Sequence, residues 1–573
     1  MNRKLYLPLL MAFALVFVGC KKMGPLSPDY FQTTPQVLEA VGGKVPVTIN
    51  GKFPEKYFNK KAIVTVTPVL VYASGETEAA PFTYQGEKVK GNNQAINYKM
   101  GGNITMTTSF PYKPEMKVSA LYLRPTVTVG KKSYQLPQIK IADGVIATAE
   151  LANGKNAGGS YASDKFQRII SDQMQANIMF LINQSILRPS EVKAQSLADF
   201  NKGVKELEQE KNEKGYTQIK ALEISSYASP DGALDYNTKL AEAREKVTEG
   251  FWSKEVQKMG LDKTINSNFT PEDWDGFKEL VSKSNIQDKE MILRVLSMYN
   301  DPAQREAEIK NMSTVFKVLA EEILPQLRRS KLIAAYEVIG KTDEVIANLA
   351  KTSPKELNVE ELLYAATLVK TSNRAQYLKE VGSIYKSITE IYPSCYRGFN
   401  NLGTVYFAEG NYSAAATAVK KAASLNANSP EVNMNLGLLE LVNGNTTAAQ
   451  TYFGKAGGAK DAGEALGTLY MMQGDFNKAV NAFGSIKSNN AAVAQIVTRD
   501  YNKASATLNA IAQPSGLTSY LKAVVAARTN KEADVISNLK DAVALDPSLA
   551  KEAATDIEFA KYFGNSSFTA IAK

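Results

Sequence analysis

The feature that most constrains this chain is a repeat towards its C-terminal end. Phe399, Leu402, Gly403, Tyr406, Gly410, Ala415, Val419 and Ala422 recur 34 residues later as Asn433, Leu436, Gly437, Glu440, Gly444, Ala449, Phe453 and Ala456. Five of those eight positions hold the same residue, which chance explains poorly. A third copy (Leu466, Gly467, Tyr470, Gly474, Ala479, Phe483) follows after 30 residues, so one loop is shortened. The conserved offsets carry small side chains for a packing reason. Gly403 and Gly437 let the first helix of each pair approach its partner, and Ala415, Ala422, Ala449 and Ala456 do the same on the second. Leu402, Leu436 and Phe453 fill the seam between them. One such pair cannot bury its apolar face alone, so the pattern implies a stacked all-α solenoid over 353–565. Val359 to Pro393 reads as a leading unit, and Ala504, Leu508, Tyr520, Ala523, Ala542 and Pro547 mark degenerate units beyond the third copy.

Small residues at these offsets with period 34 resemble the tetratricopeptide repeat (TPR). The resemblance implies a concave groove that holds peptides or other proteins, so envelope proteins or peptides are the expected partners there.

Composition narrows the chemistry. The chain has 573 residues, two cysteines and no histidine. Ser-His-Asp triads, Cys-His dyads and histidine-based zinc sites are therefore excluded. No carboxylate pair stands in a glycosidase context, and no GxGxxG or GxxxxGK[ST] phosphate loop occurs. The expectation is a non-enzyme with no catalytic residue, no metal and no cofactor. Cys395, at the start of a repeat, is expected to be a small buried apolar residue.

The first residues read as a leader. Arg3 and Lys4 precede an apolar run from Leu5 to Val18, too short for the ~20 residues of a membrane-crossing helix but suited to a secretory signal over 1–19. Phe17-Val18-Gly19-Cys20 resembles a bacterial lipobox, with Phe17 in place of the usual Leu. That resemblance implies acylation of Cys20 and a membrane anchor, at about 0.8 kcal/mol per buried methylene. It would leave Cys395 without a disulfide partner. Residues 20–40 then read as a tether. They lack the acidic cluster that resembles a surface-export signal in Bacteroidota lipoproteins, so the expected location is the outer membrane, facing the periplasm. The formal charge of +9 loses two cations with the leader and does not suggest nucleic-acid binding.

Residues 41–152 carry a β texture. Ala62 to Tyr72 is rich in β-branched residues, Asn103 to Thr107 alternates, and Thr126 to Val129 precedes Gly130. An all-β sandwich of immunoglobulin-like type is expected, closed by the Gly/Asn-rich linker Asn153 to Ser160.

Between 166 and 340, strands and helices alternate: a strand at Ile178 to Ile182, a helix from Ser196 to Leu207, a strand at Ile219 to Ile224, a helix from Asp235 and a strand at Lys331 to Val338. This is an α+β domain with a helical insertion at about 255–326. Within it, Gly232, Tyr236, Asn237, Leu240 and Arg244 fall at the offsets of the OmpA-like peptidoglycan-binding signature, which they resemble without a gap. Leu327-Arg328-Arg329 resembles the family's Asn-Arg-Arg before its last strand. The resemblance implies that the fold holds the diaminopimelate of a peptidoglycan stem peptide, with an Asp on its ammonium and Arg244 on its carboxylate. Here the family's Asp is Ser229, which supplies no charge. Asp231, two residues on, either points inward to substitute for it or is a turn residue facing water. Asn237 is expected to knit the loop, Gly232 to supply a positive φ, and Arg328 and Arg329 to flank the site. The whole chain reads as a multidomain tether and scaffold with sandwich, OmpA-like and TPR parts. The alternative is a pure protein-interaction lipoprotein, of an envelope secretion or assembly machine, whose OmpA-like domain no longer binds wall.

Overall fold

The structure is a computed structural model that describes residues 23–287, 289–311, 313–459 and 462–573. The leader and Cys20, with its expected acylation, lie outside the described residues. The chain forms two compact units: one takes the residues up to Ala162 together with Pro393–Lys573, the other is Ser163–Tyr392.

The first unit opens with two sheets packed face to face. One runs β1 (Phe31–Thr34), β2 (Lys44–Phe53) and β6 (Gly102–Pro111). The other has the order β8 (Lys132–Gln135), β7 (Ser119–Val129), β3 (Ala62–Tyr72), β4 (Phe82–Gly86) and β5 (Gln94–Ile96). Alternation in sequence becomes alternation in burial: Val45, Val47 and Ile49 of β2 meet Val64 and Val66 of β3, Met106 of β6 and Leu123 of β7 in one core. Each such side chain contributes roughly 1.5–3 kcal/mol. The same core contains Met23, Leu26 and Phe31, and Phe31–Thr34 pairs along β2. From residue 23 onward the expected 20–40 tether is therefore part of the sandwich, because its apolar residues are spaced to reach that core.

The second unit holds a four-stranded sheet of order β9 (Ile169–Met179), β12 (Arg329–Ile339), β10 (Tyr216–Tyr227) and β11 (Ile265–Thr270). β10 and β11 are parallel and the other pairs antiparallel. α1 (Gln195–Leu207) and α2 (Leu234–Lys258) supply Leu197, Phe200, Val204, Trp252 and Val256 to a core with Ile178, Leu222, Ile224 and Leu332. Three features differ from the sequence expectation. β9 begins nine residues earlier than Ile178, because its polar alternation belongs to an exposed edge. β11 is a strand within the span expected to be helical, so the insertion starts near Trp274 rather than Glu255. The helices Val359–Thr367 and Arg374–Ile391, read as the leading repeat, group with this unit.

The first unit resumes as five helix pairs: α3 (Tyr396–Ala408) with α4 (Tyr412–Leu425), α5 (Pro430–Val442) with α6 (Thr446–Lys455), α7 (Ala462–Gln473) with α8 (Phe476–Phe483), α9 (Asn489–Val497) with α10 (Tyr501–Asn509), and α11 (Gly516–Arg528) with α12 (Glu532–Leu545). Every pair turns on a residue with positive φ: Gly410 (78°), Gly444 (79°), Gly474 (82°), then Arg499 (66°) and Asn530 (57°). The last two pairs look degenerate in sequence because a non-glycine fills that left-handed position. The sandwich seats on this array: Lys117 pairs with Glu552, and Gly42 lies so close to the main chain of Gln473 that a Cβ would stand 2.9 Å from it. No helix among the described residues is long and apolar enough to cross a membrane.

Candidate functional site

The expected wall-binding residues converge where β10 ends and α2 begins. Asp231 turns inward. Its carboxylate accepts from the Ser229 hydroxyl and, at 3.3 Å, from the Arg328 guanidinium, while Arg328 Nε donates to Ser229 Oγ at 3.2 Å. Asn237 closes the loop by donating to the carbonyls of Ser229 (3.2 Å) and Gly232 (2.9 Å). Gly232 has no positive φ; a Cβ there would stand 3.3 Å from the Asn237 carboxamide, so close approach is what the glycine serves. Lys310, from the insertion, donates to the Asp231 carbonyl at 3.2 Å. Arg329 points elsewhere, donating at 2.9 Å to Asp273, whose other oxygen accepts from the Gly276 amide. Burial pushes the Asp273 carboxyl upward, and the Arg329 charge opposes that shift.

Arg244 departs most from the expectation of a carboxylate fork. Its side chain has no exposed surface. Nε donates to the Gln184 carbonyl (3.0 Å), one terminal nitrogen to Tyr227 (2.7 Å) and the other to Leu181 (3.1 Å), with the guanidinium 5.1 Å from the Phe180 ring centre. Burial, with Arg328 nearby, lowers its pKa to about 10, so it stays charged at neutral pH. Its work is to satisfy three main-chain acceptors that would otherwise be buried without donors.

A second site lies on the first helices of the repeat pairs. Thr148 to Ala162, expected as a linker, runs along α9, α7, α5 and α3 in turn. Three asparagines hold it, each bonding both main-chain groups of one residue. Asn490 accepts from the Asn153 amide (3.3 Å) and donates to its carbonyl (3.0 Å). Asn435 does the same for Ser160 (2.7 and 2.8 Å), and Asn401 for Ala162 (2.8 and 2.9 Å). Asn400 and Thr404 add bonds to the Ser160 carbonyl. The segment's glycines are steric requirements: a Cβ on Gly159 would stand 2.8 Å from Thr404, and one on Gly154 2.8 Å from Leu441. Asn401 and Asn435 are 34 residues apart, the same repeat position, and each precedes a Leu-Gly pair. That recurrence was the available signal for the clamp.

Behind this face, the expected packing residues form the seam. A Cβ on Gly403 would stand 2.6 Å from Val419 and 3.3 Å from the Ala415 carbonyl, and one on Gly437 would meet the Phe453 ring. Ala415, Ala422, Ala449, Ala456, Phe453 and Leu402 are buried, and Leu436 is half-buried. Beside the clamp, Glu464 is buried with one carboxylate oxygen on Ser488 (2.7 Å) and the other unpartnered. Burial raises its pKa to about 7. Cys395 is half-buried at the cap of α3 rather than fully buried, because the cap position leaves one side of it to solvent. Among the described residues no group of three or more His, Cys, Asp or Glu could hold a metal.

Residues 396–429, which span α3 and α4, match the tetratricopeptide repeat family. That stretch is a tetratricopeptide repeat. The chain is similar to a tetratricopeptide repeat protein from Parabacteroides merdae ATCC 43184 (17% identity, TM-score 0.28, covering 36% of this chain and 85% of that one). It is also similar to the Cut9–Hcn1 hetero-tetramer of the APC/C (14%, 0.30, 59% and 66%) and to pilF of Pseudomonas aeruginosa (14%, 0.26, 38% and 99%). No curated protein sequence matches the chain. TPR units serve protein–protein interaction, and this chain carries that scaffold function in its array.

Two substitutions test this geometry. Arg244→Met leaves three buried carbonyls without donors and should destabilise the central unit by on the order of 3 kcal/mol. Both tryptophans, Trp252 and Trp274, lie in that unit, so fluorescence-detected urea unfolding of the full chain reads it directly. For Glu464, the folded pKa of about 7 lies above the ordinary 4.5. The cost of ionising it is absent below pH 4.5, grows as pH rises through that window and is complete above pH 7. Glu464→Gln should therefore match the wild type near pH 4.5 and exceed it by up to about 3 kcal/mol at pH 8, read as array unfolding by circular dichroism.

Proposed function

We propose that this chain is a non-catalytic envelope scaffold, anchored through an acylated Cys20 at the periplasmic face of the outer membrane. In this reading the central unit keeps the loop of an OmpA-like domain without its ligand-binding arginine. The observation that carries the reading is Arg244. Fully buried and spent on the carbonyls of Leu181, Gln184 and Tyr227, it has no donor left for a stem-peptide carboxylate. Ser229 carries no charge for an ammonium, and Asp231 is neutralised by Arg328. Leu181, Ile182 and Ile186 on the segment that Arg244 holds, with Leu234 and Tyr236 at the start of α2, are exposed large apolar residues suited to a protein partner.

A second reading, a tether from outer membrane to the peptidoglycan stem peptide, is favoured by one observation. Ser229, Asp231, Asn237 and Arg328 meet at one loop, where the Asp231 and Arg328 side chains keep 17% and 11% of their surface exposed.

Sedimentation of the full-length chain separates the two. On the scaffold reading, detergent-solubilised protein stays in the supernatant when mixed with purified insoluble peptidoglycan, and Cys20→Ser moves the chain from the cell's membrane fraction to its aqueous fraction. Pelleting with peptidoglycan that Asp231→Asn abolishes would establish the tether instead. Wild-type protein free of fatty acid in the aqueous fraction would overturn the anchor common to both.

A further inference from the structure

We propose that the first-helix face of the repeat array is a peptide-binding site that reads main chain, and that its resident ligand is Asn153–Ala162 of the same chain, which excludes other segments while it is seated. The site has the chemistry of a ligand site rather than of a helix packing seam. Three carboxamides on α3, α5 and α9 each present one acceptor and one donor, and each engages the N–H and C=O of a single residue, as a neighbouring β-strand would. Such a carboxamide is indifferent to the ligand's side chain. Buried inside the array without a peptide, Asn401 and Asn435 would each lose both partners, which disfavours an empty face.

Selectivity comes from space. Gly154 and Gly159 lie where any Cβ would meet Leu441 or Thr404, and Ala152, Ala157, Ser160 and Ala162 are buried small side chains. Lys155, Asn156, Gly158 and Tyr161 face out and are unconstrained. The segment is extended at Asn153 and again at Ala157, with one 3-10 turn at Gly154–Asn156 between them. The ligand class is thus a polypeptide of the form Gly, four residues, Gly-Ser, any residue, Ala. Because the resident segment is covalently attached at both ends, it competes at an effective concentration on the order of millimolar. A free peptide of ordinary affinity does not displace it. This inference stands whichever envelope role the chain has.

The test is fluorescence anisotropy with a labelled synthetic peptide of residues 151–164 and three full-length chains. Wild type should not take up the peptide. The chain with Gly154→Val and Gly159→Val, whose own segment no longer fits, should bind it. Adding Asn401→Ala and Asn435→Ala to that chain should weaken binding by about tenfold or more, as expected for the loss of two pairs of hydrogen bonds. Where the double valine chain does not fold by circular dichroism, Ser160→Pro replaces it, since it removes the N–H that Asn435 accepts. Uptake by the wild type equal to that of the variant overturns the proposal, and so does a folded variant that takes up no peptide.

Discussion

A carboxamide and a peptide group carry the same pair of hydrogen-bonding functions, and the first unit rests on that equivalence. A chain segment can be buried against helices only if its N–H and C=O groups find partners, because helix main chains have none to spare. Asn401, Asn435 and Asn490 supply those partners, and they fix Asn153, Ser160 and Ala162 to the array. Everything between the sandwich and Ala162 is then ordered, so the sandwich and the helix pairs form one unit rather than two modules on a flexible joint. Ala149 and Ala152 join the core of the later helix pairs, and Ala157 that of the earlier ones.

The same rule governs the central unit, with charge added. Arg244 solves for three carbonyls the problem that the asparagines solve for three peptide groups. A guanidinium suits the task because its five N–H groups point outward in a plane and it remains protonated even where burial lowers its pKa. In both places, residues that could have met an outside ligand are engaged by the protein's own main chain. That shared arrangement favours a scaffold whose partners meet exposed apolar side chains over one that grips small ligands in open pockets.

Much of this was legible in the sequence. The 34-residue recurrence located the seam of the first three helix pairs, and the β-branched run from Ala62 to Tyr72 matches a strand end to end. What stayed hidden shares a physical cause. Glycine has one signature in sequence but two uses, a flexible joint and a surface with no Cβ. Gly154 and Gly159 serve the second use, which needs the positions of Leu441 and Thr404 to recognise. β11 was hidden because Ile265–Thr270 is a polar, partly exposed strand at the sheet edge. The loop around Asp231 was legible as a constellation through its spacing. Whether Arg244 faces solvent, ligand or main chain depends on the Leu181–Gln184 segment, far away in sequence. The fourth and fifth pairs lost their glycine punctuation to Arg499 and Asn530, which adopt the left-handed turn regardless.

Hydrogen–deuterium exchange on the intact chain tests the central claim most directly, by following the amides of Asn153, Ser160 and Ala162. With each amide donated to a buried asparagine, exchange should be as slow as in the surrounding helices α3 and α5. Exchange at these three amides as fast as at the solvent-facing Gly158 would mean that the segment is not held, and the account of a self-occupied array would fall.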